Sequence, residues 1–247
     1  PIASPECLYI HQSNEEIFAV FERWPNFFIP FCNIDPRAMT NSADAPLNYL
    51  LSFYKGKGFK GVGEITANLP FNHSMVDNLF KHCEKLNMPV LFHVAASLGN
   101  DYGLYDEPGL PLLERALRRY PNLIFIGHST AFWAEIAPLY TIGSRCIYPK
   151  DPFKEEGVVS KLMRKYPNLY GDLSAGSGYN AVYRNLEFGC KFMEEFKDKL
   201  LFGTDICAPN TPAPLANYLL NLKDQGKISI ECFDKISHEN AILLLNL

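Results

Sequence analysis

The chain has 247 residues, of which 47% are hydrophobic and 20% charged, so it is long enough to bury a sizeable core as one domain. The formal net charge of −4 and the lack of a dense Lys/Arg cluster argue against nucleic acid as a partner. No apolar stretch approaches the ~20 residues that span a bilayer and no signal region opens the chain, so we expect a soluble protein without a membrane partner.

The predicted elements alternate along the chain. Ser13 and Glu16 form a capping box that opens a helix ending near Arg23. Apolar residues at i, i+3, i+4, i+7 spacing predict four further helices, and a stripe of Met75, Leu79, Cys83 and Leu86 predicts a fifth. Short apolar runs without alternation predict strands. In chain order we predict strand 1–4, helix 13–23, strand 28–34, helix 47–54, strand 61–66, helix 75–86, strand 90–95, helix 113–120, strand 123–128, helix 159–166, strand 169–174, strand 200–205 and helix 215–222.

One turn recurs between helix and strand. Trp24-Pro25-Asn26-Phe27, Tyr120-Pro121-Asn122-Leu123 and Tyr166-Pro167-Asn168-Leu169 each end an amphipathic segment at a proline and continue directly into an apolar run. Repeated helix-to-strand turns favour parallel strands joined by helices, and the length is close to the ~250 residues of one (β/α)8 barrel. We therefore predict a single α/β domain over 1–247, a TIM barrel that is incomplete at its N-terminus because seven predicted strands leave the first strand absent.

Seven cysteines are an odd number. Five of them, Cys32, Cys83, Cys146, Cys190 and Cys232, lie in apolar runs or helices without C-x-x-C spacing. Buried thiols of this kind are typical of a reducing compartment, and we expect a cytoplasmic protein.

Three apolar runs end in a side chain that can bind a metal or move a proton. They end at His93, His128 and Asp205. Because the carboxyl ends of parallel barrel strands share one rim, we expect these groups to converge on a divalent metal such as zinc. Asp205 can both coordinate the metal and accept a proton from bound water. Glu64 is the only charge in its strand, and is either a further ligand or a salt-bridged barrel residue.

Other residues are candidates for substrate contacts. Asp172 stands at the start of a loop of small residues. Either this loop lets a substrate approach the backbone beside Asp172, or Asp172 only holds the loop in place. Phe132 and Trp133 follow His128 and can wall a pocket. His73 is the best substrate candidate among the remaining histidines, with a helix start as the alternative.

Two stretches are predicted rim loops, 97–108 and 141–156. Arg145 and Lys150, in the second stretch, are candidates to hold a substrate carboxylate, with solvated loop charges as the alternative.

The motifs and their order resemble those of the amidohydrolase superfamily. They are GVGEITANLPF, LFHV, FIGHS followed by FWAEI, YGDLSAGSGYNA, LFGTDI and NAILL. The closest branch groups predicted metal-dependent hydrolases with aminocarboxymuconate-semialdehyde-type decarboxylases. The resemblance implies a distorted (β/α)8 barrel with a divalent metal, usually zinc, at its carboxyl rim.

The resemblance also implies roles for single residues. His93 matches the fifth-strand ligand, His128 the sixth-strand histidine that binds a second metal or polarises the substrate, and Asp205 the eighth-strand aspartate. Glu64 resembles a fourth-strand carboxylate that bridges metals in some branches. The first-strand His-x-His pair has no counterpart, because His11 follows the remnant of the second strand.

We therefore expect a metal-dependent hydrolase of an unidentified small molecule, in which a metal-activated water attacks, Asp205 takes its proton and His128 supports the developing charge. A decarboxylase of the same superfamily, with a cation at the rim, is the first alternative. A non-catalytic barrel with an incomplete metal site is the second. An open barrel edge would expose apolar surface and favour a homo-oligomer.

Overall fold

The computed structural model describes residues 13–99, 101–139, 141–150, 153 and 155–247. The chain divides into two compact units, Pro1–Ile126 and Gly127–Leu247. The strand predicted at 1–4, together with Cys7 and His11, lies outside the described residues. The single domain expected over 1–247 stays a prediction.

The first unit alternates helices with parallel strands. Its elements are α1 (Asn14–Arg23), β1 (Phe31–Cys32), α2 (Asn48–Gly56), β2 (Gly61–Ile65), β3 (Ala67–Pro70), α3 (Ser74–Lys85), β4 (Val90–Ala95), β5 (Gly103–Tyr105), α4 (Pro111–Arg119) and the start of β6 (Phe125–His128). The hydrogen-bonded order is β1-β2-β4-β6, and β5 pairs with both β3 and β4. Phe31 pairs with Gly61 and Val62 with Val90, all in parallel.

Four phenylalanines form the centre of the first unit's core. Phe71, Phe80, Phe92 and Phe125 are at most 1% exposed. Phe71 meets Phe92 edge to face at 5.2 Å between ring centroids, and Phe80 meets Phe125 at 5.1 Å. Edge-to-face pairs add roughly 0.5–1.5 kcal/mol beyond the burial of their area, so this cluster fixes helix α3 against β4 and β6.

The second unit carries shorter strands and more helix. After β6 follow α5 (Thr130–Ala134), a 3₁₀ helix (Ile142–Cys146), α6 (Val158–Lys165), β7 (Leu169–Asp172), α7 (Ala175–Tyr183), α8 (Leu186–Glu195), β8 (Leu200–Leu201), α9 (Leu215–Asp224), α10 (Ile230–Asp234), a π-helical turn (Lys235–Glu239) and α11 (Asn240–Leu245). β7 and β8 are parallel, with Gly171 opposite Leu200.

Most predicted elements are confirmed. All six predicted helices are present, and so are the six predicted strands within the described residues. The stretch 97–108 contains β5, which the sequence analysis missed, and the small-residue loop predicted after Asp172 is helix α7. Gly178 allows that helix to form, because a Cβ there would lie 2.3 Å from the carbonyl carbon of Leu173. No helix in the described part of the chain is long and apolar enough to cross a membrane.

The end of β8 differs from the prediction. The strand was expected to reach Asp205 but ends at Leu201. The backbone N–H of Phe202 donates to the carbonyl of Ile236 in the π-helical turn, at 2.9 Å, and so leaves the sheet. Asp205 therefore lies four residues beyond the strand.

The predicted burial of the five cysteines is correct in part. Cys32, Cys83 and Cys232 are buried, Cys190 is intermediate and Cys146 is exposed. Burial raises the pKa of the Cys32 thiol to about 12 and that of Cys232 likewise to about 12. The buried thiols therefore stay protonated and pack as small apolar groups.

A buried carboxylate opens helix α4. Asp106 is 0% exposed and accepts hydrogen bonds from the backbone N–H groups of Glu107, Leu112 and Leu113 at 2.8, 3.0 and 2.8 Å. The last two are N–H groups of the first turn of α4, which have no partner inside the helix. Asp106 thus caps the helix from four residues before its N-cap, Leu110.

We expect Asp106→Ala to lower the free energy of unfolding by about 1–3 kcal/mol, because it leaves three backbone N–H groups, including that of the buried Leu113, without their acceptor. Urea denaturation followed by circular dichroism measures this loss. The control is Asp224→Ala, since the Asp224 side chain is 68% exposed and its removal should change stability by less than about 0.5 kcal/mol. Equal stability of the two variants would contradict the capping role.

Candidate metal centre

Glu64 and His93 form a carboxylate–imidazole pair near the carboxyl ends of β2 and β4. His93 Nδ1 lies 2.5 Å from Glu64 Oε1, and the two side chains are 12% and 27% exposed. A carboxylate accepts the Nδ1 proton and so fixes the tautomer in which Nε2 carries the lone pair. The pair therefore fixes the orientation of the His93 ring.

Two buried asparagines hold the backbone at Glu64. Asn14 Nδ2 donates to the carbonyl of Asn33 at 3.0 Å, and the backbone N–H of Asn33 donates to Asn14 Oδ1 at 2.9 Å. Asn33 Nδ2 then donates to the carbonyl of Glu64 at 2.6 Å. Sequence reasoning missed both residues, although Asn33 stands directly after β1, where other strands carry site residues.

His128, at the end of β6, forms a second carboxylate–imidazole pair. Its Nδ1 lies 2.9 Å from Asp172 Oδ2 and 3.2 Å from Ser174 Oγ. The Ser174 hydroxyl donates to Asp172 Oδ2 at 2.5 Å, and the Ser174 backbone N–H donates to Oδ1 at 2.9 Å. The side chains of His128 and Asp172 are 8% and 14% exposed. The Asp172 carboxylate is thus held by several donors and orients the imidazole.

The two pairs supply side chains that suit a divalent metal. Glu64 and His93 belong to the first unit, and His128 and Asp172 belong to the second. Imidazole nitrogens and carboxylate oxygens are ligands found at zinc, iron and manganese sites. The residues of each pair therefore fit a divalent metal.

Asp205 follows β8 in the second unit. It is exposed and has a left-handed backbone with φ of 55°, which aspartate tolerates better than most residues. Gly203, two residues earlier, passes close to the second carboxylate, because a Cβ there would lie 2.9 Å from Asp172 Oδ1. The segment that leads to Asp205 therefore runs beside Asp172.

The predicted aromatic wall is part of the core. Phe132 is 0% and Trp133 2% exposed. The Phe132 ring occupies the space that a Cβ at Gly127 would need. The Trp133 ring likewise occupies the space that a Cβ at Gly171 would need. Trp133 Nε1 also donates to the carbonyl of Asp172 at 2.8 Å. We assign both rings to support of β6 and β7 rather than to substrate contact.

His73 and Arg145 have structural partners. His73 is the N-cap of α3, where its Nδ1 accepts from the Met75 backbone N–H at 3.3 Å. Arg145 is 1% exposed, with Nε 2.9 Å from Glu135 Oε1, which leaves it no surface for a substrate carboxylate. Lys150 is exposed, as expected of a loop charge.

Tyr102 and Asn68 hold the loop that follows His93 in place. The Tyr102 ring lies 4.2 Å from the His93 ring between centroids and is 43% exposed. Asn68 holds the preceding loop through the Ser97 carbonyl and the Gly99 N–H, at 3.0 and 2.6 Å. Tyr102 therefore covers one face of the candidate ligand.

Sequence reasoning also missed a cation that follows β1. Arg37 donates from Nε and Nη2 to both oxygens of Asp35, each at 2.8 Å, and from Nη2 to the carbonyl of Ala67 at 3.0 Å. Burial lowers the pKa of the Arg37 guanidinium. The sequence signal that could have identified Arg37 as a site candidate is its position a few residues after the end of β1.

Solved structures share this fold. An uncharacterised TIM-barrel protein from Bordetella bronchiseptica is 18% identical, with 95% of this chain and 72% of that chain covered and a TM-score of 0.65. A 5-carboxyvanillate decarboxylase from Novosphingobium aromaticivorans, complexed with manganese and 4-hydroxy-3-methoxy-5-nitrobenzoic acid, is 17% identical, with coverages of 95% and 68% and a TM-score of 0.60. A probable 2-pyrone-4,6-dicarboxylic acid hydrolase from Acinetobacter baumannii is 14% identical, with coverages of 98% and 81% and a TM-score of 0.54.

These similarities confirm the predicted α/β fold class of the TIM-barrel type. A search of curated proteins gave no match. The amidohydrolase family model matches residues 5–247, which confirms the resemblance stated from the motifs. The chain belongs to the amidohydrolase family.

Proposed function

We propose that this chain is a metal-dependent hydrolase of a small molecule, with His93 and His128 as ligands of a divalent metal and Glu64 as the carboxylate that orients His93. The observation that carries the proposal is that each imidazole is held by its own carboxylate, His93 by Glu64 and His128 by Asp172. Zinc is our first choice for the metal, and manganese is the alternative because a structural neighbour binds it.

A divalent metal, when bound, acidifies a water and polarises a substrate oxygen. The chain's own carboxylates prepare the imidazoles for that task. Glu64 and Asp172 accept the Nδ1 protons of His93 and His128, at 2.5 and 2.9 Å, and so fix the orientation of both rings. His128 then supports charge that develops on the substrate.

We further propose that Asp205 accepts the proton of the attacking water. Two observations support this role. Its segment runs beside Asp172 at Gly203, and two residues of extended chain span about 7 Å at most. Its carboxylate is exposed, so it can approach a substrate from the rim.

A decarboxylase is the second candidate, because one structural neighbour is a 5-carboxyvanillate decarboxylase. That reaction needs a cation for the substrate carboxylate. Arg145 is buried against Glu135, so the candidate cations for this reaction are Arg37 and Lys150. Arg37 is held by Asp35 in a two-point pair.

We also propose a reducing compartment such as the cytoplasm, because Cys32, Cys83 and Cys232 are buried and protonated rather than exposed for pairing.

The metal site is tested by titrating metal-free protein with zinc and with manganese. We expect His93→Ala and His128→Ala each to weaken binding by more than about 100-fold, because each removes one of the two imidazole ligands. Isothermal titration calorimetry measures the affinity, and metal-induced thermal stabilisation gives an independent value. His73→Ala is the matched control and should bind metal normally, since His73 only caps α3. Normal metal binding by His93→Ala would refute the assignment, and no binding by the unaltered protein would favour a non-catalytic barrel.

Asp172→Asn tests the second pair. The amide removes the charge that holds the His128 tautomer, so we expect metal affinity to fall about 10- to 100-fold while the protein stays folded. The same calorimetric titration measures the loss. Asp224→Asn, a change at a largely exposed carboxylate, should leave the affinity unchanged. If both variants bind metal equally, Asp172 does not orient His128.

The reaction is tested in ¹⁸O-labelled water with lactones, esters, amides, 2-pyrone-4,6-dicarboxylate and 5-carboxyvanillate. Hydrolysis of a lactone or ester breaks its C–O bond and places one labelled oxygen in the product acid. Decarboxylation releases carbon dioxide, replaces it with a proton, and puts no label in the aromatic product. Mass spectrometry distinguishes the two, and we expect label in the acid.

For the substrate found in that screen, Asp205→Asn should reduce kcat by about 10²–10⁴-fold with full metal content, because it removes a general base and no member of the ligand group. Cys207→Ser, an exposed change two residues away, is the control and should keep full activity. Loss of metal in Asp205→Asn would make Asp205 a ligand instead.

A further inference from the structure

Helix α7 begins beside the pair of Asp172 and His128. Its N-cap is Ser174, and the helix runs from Ala175 to Tyr183. The Ser174 side chain does not cap the helix. It donates instead to Asp172 Oδ2 at 2.5 Å and lies 3.2 Å from His128 Nδ1. The start of α7 therefore lies directly next to one of the proposed metal ligands.

The first three N–H groups of α7, those of residues 175–177, have no acceptor in the part of the chain that the structure describes. The first N–H group that bonds back is that of Gly178, which donates to the carbonyl of Ser174 at 3.2 Å. Ala175 and Gly176 are partly exposed, so their N–H groups are accessible to a ligand. Unpaired N–H groups at the positive end of a helix dipole favour an anion.

The carboxylate of Asp172 does not occupy this helix end. Its Oδ1 accepts the backbone N–H of Ser174 at 2.9 Å, and its Oδ2 lies 2.9 Å from His128 Nδ1. Both oxygens are therefore used by groups that precede the helix. The N–H groups of residues 175–177 stay available for a second acceptor.

A buried hydroxyl is an independent indication of a ligand at this place. Ser177 is only 4% exposed, and its hydroxyl has no hydrogen-bond partner among the described residues. Its oxygen still touches solvent, so a ligand can reach it. Ser177 is the third residue of α7, and the Cα–Cβ bonds of a helix tilt toward its N-terminus. The hydroxyl therefore lies at the same helix end as the unpaired N–H groups and can donate to the same anion.

Tyr148 lies against the first turn of α7. A Cβ at Gly176 would lie 3.2 Å from a ring carbon of Tyr148 and 3.3 Å from its hydroxyl oxygen. Glycine at this position therefore leaves room for the ring. Tyr148 is 50% exposed and makes no hydrogen bond with any other residue that the structure places. Its hydroxyl is a further donor beside the helix end, and its ring offers apolar surface to a ligand.

We propose that the first turn of α7 binds an anionic group of the substrate, a carboxylate or a phosphate, through the N–H groups of residues 175–177 and the hydroxyl of Ser177. The inference rests on the proposed function, because a metal ion at His128 would offset the negative charge of Asp172 beside the bound anion. The substrate then carries this group in addition to the bond that is hydrolysed. The anion is held without a cationic side chain, which agrees with the burial of Arg145 against Glu135.

The test uses zinc-loaded, ¹⁵N-labelled protein, with acetate and inorganic phosphate as probes and acetamide as the uncharged control. We expect the anions to shift the amide resonances of residues 175–177 downfield, since charge-assisted hydrogen bonds form there, and acetamide to leave these resonances unchanged. NMR titration measures both affinities, and the tighter anion identifies the preferred group.

Two negative results have different meanings. Protein that binds zinc but shows no shift of these three resonances with either anion would overturn this inference alone. Failure of the protein to bind zinc in the calorimetric titration would overturn the proposed function and this inference together.

Gly176→Asp places a carboxylate at the second position of α7, where it can occupy the unpaired N–H groups itself. We expect anion binding to weaken at least about tenfold, while thermal stability stays the same or rises because the added charge complements the helix dipole. Gly176→Asn is the matched uncharged control and should bind the anion more tightly than Gly176→Asp. Equal anion affinity in these two variants would contradict the proposal.

Ser177→Ala should weaken anion binding about tenfold, because it removes one donor to the anion. Ser160→Ala is the matched control and should keep the full affinity. Ser160 is likewise buried, at 1% exposed, and its hydroxyl has no partner within the described ranges, but it lies in α6. Unchanged affinity in Ser177→Ala would overturn the proposed binding mode.

Discussion

The candidate metal centre depends on two carboxylate–imidazole hydrogen bonds, Glu64 with His93 and Asp172 with His128. An imidazole binds a metal through a ring nitrogen that carries no proton, and an acceptor for the Nδ1 proton fixes both the tautomer and the rotation of the ring. The four side chains are only 8–27% exposed, so water cannot replace these partners. Loss of one partner would leave a partly buried polar group unsatisfied, which costs more than the hydrogen bond itself contributes. Each pair therefore gives the carboxylate a donor and the imidazole a defined tautomer.

Close backbone packing places the His128 pair. Gly127 and Gly171 stand where any Cβ would collide with the rings of Phe132 and Trp133, at 2.4 and 2.8 Å. The two rings thus pack directly against β6 and β7, and the indole of Trp133 donates to the carbonyl of Asp172. Asp172 in turn is the residue that orients His128. Phe132 and Trp133, which the sequence suggested as substrate contacts, therefore lie in the core, where they hold the ends of β6 and β7 in place.

The sequence predicted the parts of the structure that local pattern determines. Apolar runs of three or more residues located the strands that carry His93 and His128, and the lone charge in its strand marked Glu64. Asp205 was expected at the end of β8, but the chain leaves the sheet at Phe202 because its N–H bonds to Ile236, a distant partner that no local pattern indicates. The pairing of Asp172 with His128 likewise depends on contacts between distant segments. β5 is three residues long and lies in a loop-like stretch, so its periodicity was too short to detect.

The scaffold accommodates hydrolysis and decarboxylation equally, so the side chains at the rim decide between them. A decarboxylase must offer a cation to the substrate carboxylate. If Arg37 were that cation, it would have to leave Asp35, whose side chain is only 11% exposed, and also the carbonyl of Ala67. Breaking a two-point ion pair in such a place leaves a poorly solvated carboxylate, a cost of several kcal/mol by analogy with buried pairs. A hydrolase needs instead a carboxylate that can approach a water, and Asp205 is exposed on a segment that already passes Asp172. The energetic comparison therefore argues against Arg37 as the cation of a decarboxylase and supports the role proposed for Asp205.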